Sequence, residues 1–225
     1  MSGKLFGIGI GPGDPELMTL KAKRILEEAG VIVFPGEKPE KTVAYGIISK
    51  VIDLSKKQLV GLSFPMTKDK EILEENHRKG AETIRRFLEE GKTAAFPTLG
   101  DPGVYATYIY VHKRIRQWGY DAQIIPGVPS FCAAAAKISE ALAETDQELH
   151  IIPSSYGVED ALKLKGTKVL MKAGSKFREV YEQVRKSGQK IWILQNIGME
   201  NERIYCDPED EIETGYYTLI IVKEK

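Results

Sequence analysis

Three glycine-bearing turns hold the residues of this 225-residue chain whose types and spacing could serve a ligand. The first is Gly9-Ile10-Gly11-Pro12-Gly13-Asp14-Pro15, a sharp turn after a short apolar run. With so few side chains in the way, a ligand can approach its main chain closely. The spacing departs from the dinucleotide fingerprint in both registers, because Pro12 or Asp14 stands where the third glycine belongs. An ordinary tight turn with a helix cap competes for the same residues. The second is Pro97-Thr98-Leu99-Gly100-Asp101-Pro102-Gly103-Val104-Tyr105, where a buried strand again runs into Gly-Asp-Pro and a helix follows. Open α/β sheets bind ligands beyond the carboxyl ends of their strands, so both loops are expected to edge one crevice. Asp101 either accepts from a ligand amine or ribose hydroxyl or caps its own helix. The third, Pro126-Gly127-Val128-Pro129-Ser130-Phe131, opens a helix through Ala133 to Ala136, where small residues allow close approach by a neighbouring helix or by a ligand.

Other chemistry is sparse. No Ser/His/Asp or Cys/His arrangement offers a nucleophile, and the candidates for moving a proton are Asp101, Tyr105, His77 and His112. His112 lies in an apolar, aromatic helix and reads as structural; His77 sits on a charged helix and is expected to face water. Cys132 and Cys206 are far apart and lack metal-ligand spacing, so neither a disulfide framework nor a metal site is expected. Lys plus Arg and Asp plus Glu number 32 each, which leaves no global positive field for nucleic acid or an anionic membrane. Anionic groups on a ligand must then meet local cations, for which Lys68, Lys176, Arg178 and Arg203 near strand ends are candidates. Tyr105, Tyr108 and Tyr110 could line an aromatic slot. The start of the chain has neither the length nor the flanks of a signal peptide, and no stretch approaches the ~20 apolar residues of a membrane span. A soluble, cytoplasmic protein is expected.

The elements that must position these turns follow from periodicity. Leu5 to Ile10, Val31 to Phe34, Leu59 to Phe64, Lys92 to Pro97 and Ala122 to Ile125 read as strands. Helices are expected over Pro15 to Ala29, Val43 to Val51, Asn76 to Glu90, Val104 to Trp118 and Ser130 to Ile138. Farther on, His150 to Pro153, Thr167 to Lys172, Lys190 to Gln195 and Tyr217 to Lys223 read as strands, with a helix over Phe177 to Ser187 and a solvated acidic loop over Asp207 to Glu213. Such alternation argues for an α/β protein with parallel sheets flanked by helices. The Gly/Pro-rich stretch Gly119 to Pro129 suggests a crossover between lobes at 1–119 and 120–225, with the boundary near Tyr120.

In this order and spacing the motifs resemble the tetrapyrrole (corrin/porphyrin) methylase family, across nearly the whole chain. The residues carrying the resemblance are Gly9 to Ala22, Phe64-Pro65-Met66-Thr67, Thr98 to Tyr108, Ile125 to Phe131 and Tyr217 to Val222. Within the family, Phe64 to Thr67 and the Tyr-rich stretch Tyr105 to Tyr110 point to the branch that methylates carbon 20 of precorrin-2 or cobalt-precorrin-2 in cobalamin biosynthesis. The resemblance implies two α/β lobes, each with a mixed, mostly parallel sheet, with S-adenosylmethionine in a cleft between them, S-adenosylhomocysteine as product, and a homodimer. It implies cofactor contacts from Ile10, Gly100, Asp101, Val104, Ser130, Phe131, Met171, Ala173, Thr218 and Leu219, with Thr218 standing where the family usually has Ser. Gly11, Pro12, Asp14, Met66 and Tyr110 would meet the tetrapyrrole. A reduced tetrapyrrole carbon is already electron-rich, so positioning is the main requirement; Asp101 and Tyr105 are the leading candidates to take the proton afterwards. Three other readings stay open: a methylase acting at another ring carbon, a macromolecule methyltransferase of the same fold, which the neutral charge disfavours when the macromolecule is RNA, and a non-catalytic binding module, which would not need intact loops.

Overall fold

A computed structural model describes residues 2–65, 67, 69–208, 212 and 215–224, apart from the side chains of Tyr156 and Ser175. The chain divides into two compact units, Met1–Pro129 and Ser130–Lys225.

The first unit is a doubly covered parallel sheet. Its strands are β1 (Lys4–Gly9), β2 (Val31–Pro35), β3 (Gln58–Leu62), β4 (Ala94–Thr98) and β5 (Asp121–Ile125), in the order β3-β2-β4-β1-β5. Every pairing between these neighbours is parallel. Such a sheet needs helices on both faces, and its strands must be apolar on both. Ile8, Ile32 and Phe34 enter one core with Leu26 of α1 (Leu20–Glu28) and Ile48 of α2 (Val43–Ile48). Leu5, Val31, Val33 and Phe96 enter the other with Ile84 and Leu88 of α3 (Lys70–Glu89) and Tyr108 and Val111 of α4 (Tyr108–Gln117).

Three helix starts differ from expectation, each for a capping reason. The stretch from Pro15 is a 3-10 turn, Pro15–Leu17, capped by Asp14, and α1 begins afresh where Thr19 Oγ1 accepts from Ala22 N at 3.1 Å. That restart leaves Leu20 outside the core at 88% exposure. The helix expected from Asn76 begins at Lys70, because the Asp69 carboxylate accepts from the amides of Glu71 and Ile72. The helix expected from Val104 begins at Tyr108, because Tyr105 takes a left-handed backbone conformation with φ +48. The expected lobe boundary near Tyr120 is corrected as well. β5 pairs with β1 from Lys4↔Asp121 to Ile8↔Ile125, so the first unit runs on to Pro129.

The second unit holds α5 (Ser130–Lys137), β6 (Leu149–Pro153), β7 (Thr167–Met171), α6 (Phe177–Lys186), β8 (Lys190–Gln195), β9 (Arg203–Cys206) and β10 (Thr218–Lys223). The sheet order is β6-β7-β10-β8-β9. This sheet is mixed, as expected, but its ladders are not mostly parallel: among the described residues only β6 and β7 pair that way. β10 runs antiparallel between β7 and β8, and β9 returns from β8 as an antiparallel edge. Leu170, Ile193, Ile220 and Val222 pack against Val180, Tyr181 and Val184 of α6.

Candidate functional site

In the first unit, β4, β1 and β5 are neighbours, and the three glycine turns leave from their carboxyl ends. The turns are joined backbone to backbone. Ile10 N donates to Thr98 O at 3.1 Å and Gly100 N to Gly11 O at 2.8 Å, with Gly11 at φ +77 and Gly100 at φ +72. A Cβ on Gly9 would sit 2.5 Å from Gly127 Cα and 2.7 Å from Gly100 O; one on Gly127 would sit 2.3 Å from Gly100 O. At such distances main chain makes room only by shifting a whole loop, so close approach favours glycine at Gly9 and Gly127.

Asp101 ties the second turn to the third. Its Oδ1 accepts from Gly103 N at 2.7 Å and its Oδ2 from Gly127 N at 2.9 Å. Both carboxylate oxygens are therefore engaged by backbone amides of the second and third turns; Asp101 does not cap the helix that follows, which begins at Tyr108 behind Thr107 with no side-chain cap. Tyr105 follows in the left-handed region, where a bulky residue is rare and costs about 1–3 kcal/mol that the surrounding structure must offset. Strain of that kind concentrates at functional loops.

The structure distributes the other expected residues as follows. Ile10, Gly11 and Pro12 are buried, whereas Asp14 caps the Pro15 turn through Glu16 N at 2.9 Å. Val104 N donates to Asp101 O at 3.2 Å, inside the same loop. Met66 and Lys68 lie outside the described residues. Tyr110 is 54% exposed. His112 is buried with Nδ1 3.1 Å from the Tyr108 hydroxyl, which itself donates to Gln123 O at 3.0 Å, in keeping with a structural histidine. Burial, helped by the nearby Arg116, pushes its pKa below the ordinary value. His77 departs from expectation: it is 7% exposed, its ring stacked on Tyr110 at 4.5 Å between centroids and 7° between planes. The charged surface of α3 surrounds it, but α4 covers it.

One residue that sequence reasoning passed over stands out at this site. Thr98 ends β4 opposite Gly9, is 9% exposed, and its Oγ1 has no hydrogen-bond partner among the described residues. It lies inside the second turn motif, but an unmet hydroxyl is visible only once the fold is known. A buried hydroxyl without a partner is costly, and a ligand is one way to satisfy it.

In the second unit, Met171 stands opposite Leu219 in the β7–β10 ladder, and Ala173 is buried just beyond. Ser154 Oγ donates to Met171 O at 2.8 Å and Thr218 Oγ1 donates to Gly215 O at 2.8 Å, so side chains fix both strand ends. Thr218, Gln195 and Arg203 form one cross-strand row. Of the expected cations, Arg203 is thus placed in line with Thr218, while Lys176 and Arg178 follow Ala173 in the turn and first helical residues after β7; all three are exposed. Ser130 and Phe131 open α5, with Phe131 buried.

Tetrapyrrole (corrin/porphyrin) methylases match this chain over residues 4–213. A probable cobalt-precorrin-2 C(20)-methyltransferase of Methanocaldococcus jannaschii is 32% identical, over 98% of this chain and 96% of that protein. A cobalt-precorrin-2 C(20)-methyltransferase of Salmonella typhimurium is 31% identical, over 100% of this chain and 98% of its own length. Among solved structures, uroporphyrin-III C-methyl transferase from Thermus thermophilus, complexed with S-adenyl homocysteine, aligns with a TM-score of 0.73 at 20% identity, covering 99% of this chain and 98% of that one. At that identity it speaks for the fold.

Proposed function

We propose, from the fact that this chain belongs to the tetrapyrrole (corrin/porphyrin) methylases, that it is an S-adenosylmethionine-dependent methyltransferase acting on carbon 20 of precorrin-2 or cobalt-precorrin-2. The observation that carries the reading is the near-end-to-end match to two relatives, one named a probable and one a cobalt-precorrin-2 C(20)-methyltransferase. The joined turns support it, because a ligand meeting three loops at adjacent strand ends is held by main chain that makes room only by shifting a whole loop.

Two features of the first unit fit a bound methyl donor: the unmet Thr98 hydroxyl and the glycine turns beside it. When bound, S-adenosylmethionine would supply an electrophilic methyl for an electron-rich ring carbon, its sulfonium sulfur leaving as the neutral thioether of S-adenosylhomocysteine. The chain's own task is then alignment, and holding reactants in register can supply about 7–11 kcal/mol of a barrier. Ile10, Gly100, Asp101 and Val104 of the first unit are the proposed donor contacts, with Ser130, Phe131, Met171, Ala173, Thr218 and Leu219 of the second. Asp101 keeps Gly103 and Gly127 in place, and Tyr105 is the group proposed to relay the proton that leaves carbon 20 to solvent, its hydroxyl giving up one proton as it takes the other. Gly11, Pro12, Asp14 and Tyr110 are the proposed tetrapyrrole contacts.

Among the described residues no helix is long and apolar enough to cross a membrane. The proposal includes a homodimer acting in the cytoplasm. Light scattering on the purified protein should give twice the 25.1 kDa of one chain. The decisive assay supplies S-adenosylmethionine labelled in its methyl carbon together with precorrin-2, with and without cobalt. Label at carbon 20 is expected. Label at another ring carbon would overturn the branch, and no calorimetric binding of S-adenosylmethionine to folded protein would overturn the methyltransferase reading.

A further inference from the structure

On the face of the first sheet covered by α3 and α4, aromatic rings gather toward the carboxyl ends of the strands. Phe64, in the loop after β3, lies 5.9 Å from His77 and 6.1 Å from Phe96 between centroids. Phe96 in turn meets Tyr108 at 5.5 Å. Thr98, two residues beyond Phe96, shares its face by strand alternation. The face therefore ends in an aromatic cluster and a buried hydroxyl that no described residue meets.

Within this cluster Tyr110 and Tyr108 behave oppositely. Tyr108 is fully buried against β1, where a Cβ on Gly7 would come 2.0 Å from its ring. Tyr110 is 54% exposed, yet its ring plane is fixed, because His77 lies parallel to it at 4.5 Å. The support for that stack is itself braced: Glu74, three residues before His77 on α3, pairs with Arg114, four residues after Tyr110 on α4. An exposed tyrosine at a helix start is normally free to turn between rotamers. This one has a buried aromatic ring beneath it, and an ion pair bridges the two helices that carry the stack.

We propose that His77 is a positioning residue for the tetrapyrrole: by stacking beneath Tyr110 it holds that exposed ring as a fixed wall against which an edge of the macrocycle lies. This rests on the proposed function, since it takes a flat conjugated ring as the occupant. A wall of this kind favours binding by removing rotamer freedom in advance, so its loss weakens tetrapyrrole binding without touching the methyl donor. His77 acts only through Tyr110 and handles no proton.

The test uses purified full chain and three variants, Tyr110→Leu, His77→Leu and His77→Phe. Tetrapyrrole binding is read by fluorescence quenching, S-adenosylmethionine binding by calorimetry, and turnover by KM and kcat. Tyr110→Leu should weaken tetrapyrrole binding about tenfold and His77→Leu about threefold, the range an aromatic pair supports. His77→Phe, which keeps a ring under Tyr110, should stay within about twofold of the parent. Donor affinity and kcat should hold throughout. Equal tetrapyrrole affinity in parent and Tyr110→Leu would overturn the proposal, and Tyr110 is exposed enough for that variant to fold. A parallel loss of donor affinity in His77→Leu would also overturn it, by showing a general loosening of α3 and α4. Failure of the carbon-20 reading looks different: the parent binds the tetrapyrrole, and the variants rank as expected, but label goes to another carbon. If the parent binds no tetrapyrrole, both readings fall.

Discussion

The two units hold the strand ends that carry their turns by different means. In the first, three loops are locked by contacts of main chain with main chain: Gly9 against Gly127, Gly127 against Gly100 O, Gly100 N on Gly11 O. In the second, single side chains hold the corresponding ends, Ser154 on Met171 O and Thr218 on Gly215 O. The sheet topologies explain the contrast. Parallel neighbours bring their carboxyl ends, and the loops beyond them, to one edge of the sheet, whereas the antiparallel β10 brings its start beside the end of β7. Loops crowded at one edge require glycine; alternating ends leave room for side chains. The first unit should therefore be intolerant of added atoms, and the second should lose only the bond removed.

The largest effect that sharpens this contrast is expected from Gly127→Ala and Gly9→Ala. Each added methyl meets backbone at 2.3 to 2.5 Å, so a loop must shift, with a stability cost of about 1–3 kcal/mol or more. A displacement near 1 Å at the reacting groups is worth about a hundredfold in turnover. The matched substitution in the second unit is Gly215→Ala, where no described residue lies within 4 Å of the added atom. Its stability should change by less than about 0.5 kcal/mol. Denaturant unfolding and labelled-methyl turnover measured on all three would break the comparison if Gly215→Ala proved as damaging as Gly127→Ala.

Next in size is removal of the side-chain ties. Asp101→Ala strands two amides, Gly103 N and Gly127 N, and should cost about 1–3 kcal/mol for each that water cannot reach. Ser154→Ala removes one donor from Met171 O and should cost about 1 kcal/mol. Asp101→Asn keeps one acceptor and should fall between the two. If Asp101→Ala unfolds no more easily than Ser154→Ala yet abolishes turnover, the carboxylate acts on substrate and the positioning role assigned to it here is wrong.

Which of these features were legible beforehand follows the same division. The strands of the first sheet announce themselves because a parallel strand is apolar on both faces: Val31 to Phe34 needs no partner to be recognised. The turns were legible as well, since Gly and Pro dictate local backbone whatever surrounds them. β9 was not, because Arg203 to Cys206 is a short, largely exposed edge strand with no alternation to read. Tyr105 carries no sign of its left-handed backbone, which its surroundings impose, so the helix expected from Val104 began too early. His77 misled for the same reason: its neighbours along α3 are charged, and the ring that buries it comes from α4. The unit boundary was misplaced by ten residues because the Pro/Gly stretch was read at its beginning, while the pairing of β5 with β1 carries the first unit to its end.

Acid should separate the units more gently. His77 and His112 both lie in the first unit, and burial holds each below its ordinary value of 6.5. For His77 the nearby Arg114 adds to that effect while Glu74 opposes it. A histidine with a lowered pKa in the folded state takes up its proton sooner when unfolded. The first unit should therefore be most stable above pH 6.5 and lose stability as pH falls from 6.5 toward the folded-state values. Tm recorded from about pH 7.5 down to about pH 5 should decline less steeply in His77→Phe than in the parent. Equal slopes would mean that His77 is not kept neutral by its burial.

The smallest effect belongs to the second unit, at Lys168, whose side chain is wholly buried in β7 with Nζ donating to Gln189 Oε1 at 2.8 Å and 3.9 Å from Glu224 Oε1. Burial lowers its pKa from the ordinary 10.5, with the Glu224 carboxylate opposing the shift. A cation in such a place is weak support for a fold, because the attraction it finds must first offset lost hydration. Lys168→Met keeps the stem volume and leaves Gln189 its bond to Leu162 O, so stability at neutral pH should change by no more than about 1 kcal/mol, in either direction. The informative difference lies at alkaline pH. With its folded-state value lowered, Lys168 gives up its proton in the folded chain before it does so in the unfolded one, so this residue adds stability as pH climbs toward 10.5. Unfolding free energies of parent and Lys168→Met should therefore diverge in the parent's favour over that climb; if the two curves run parallel, the ammonium is not penalised by its burial and the second unit is less tightly closed around β7 than its core suggests.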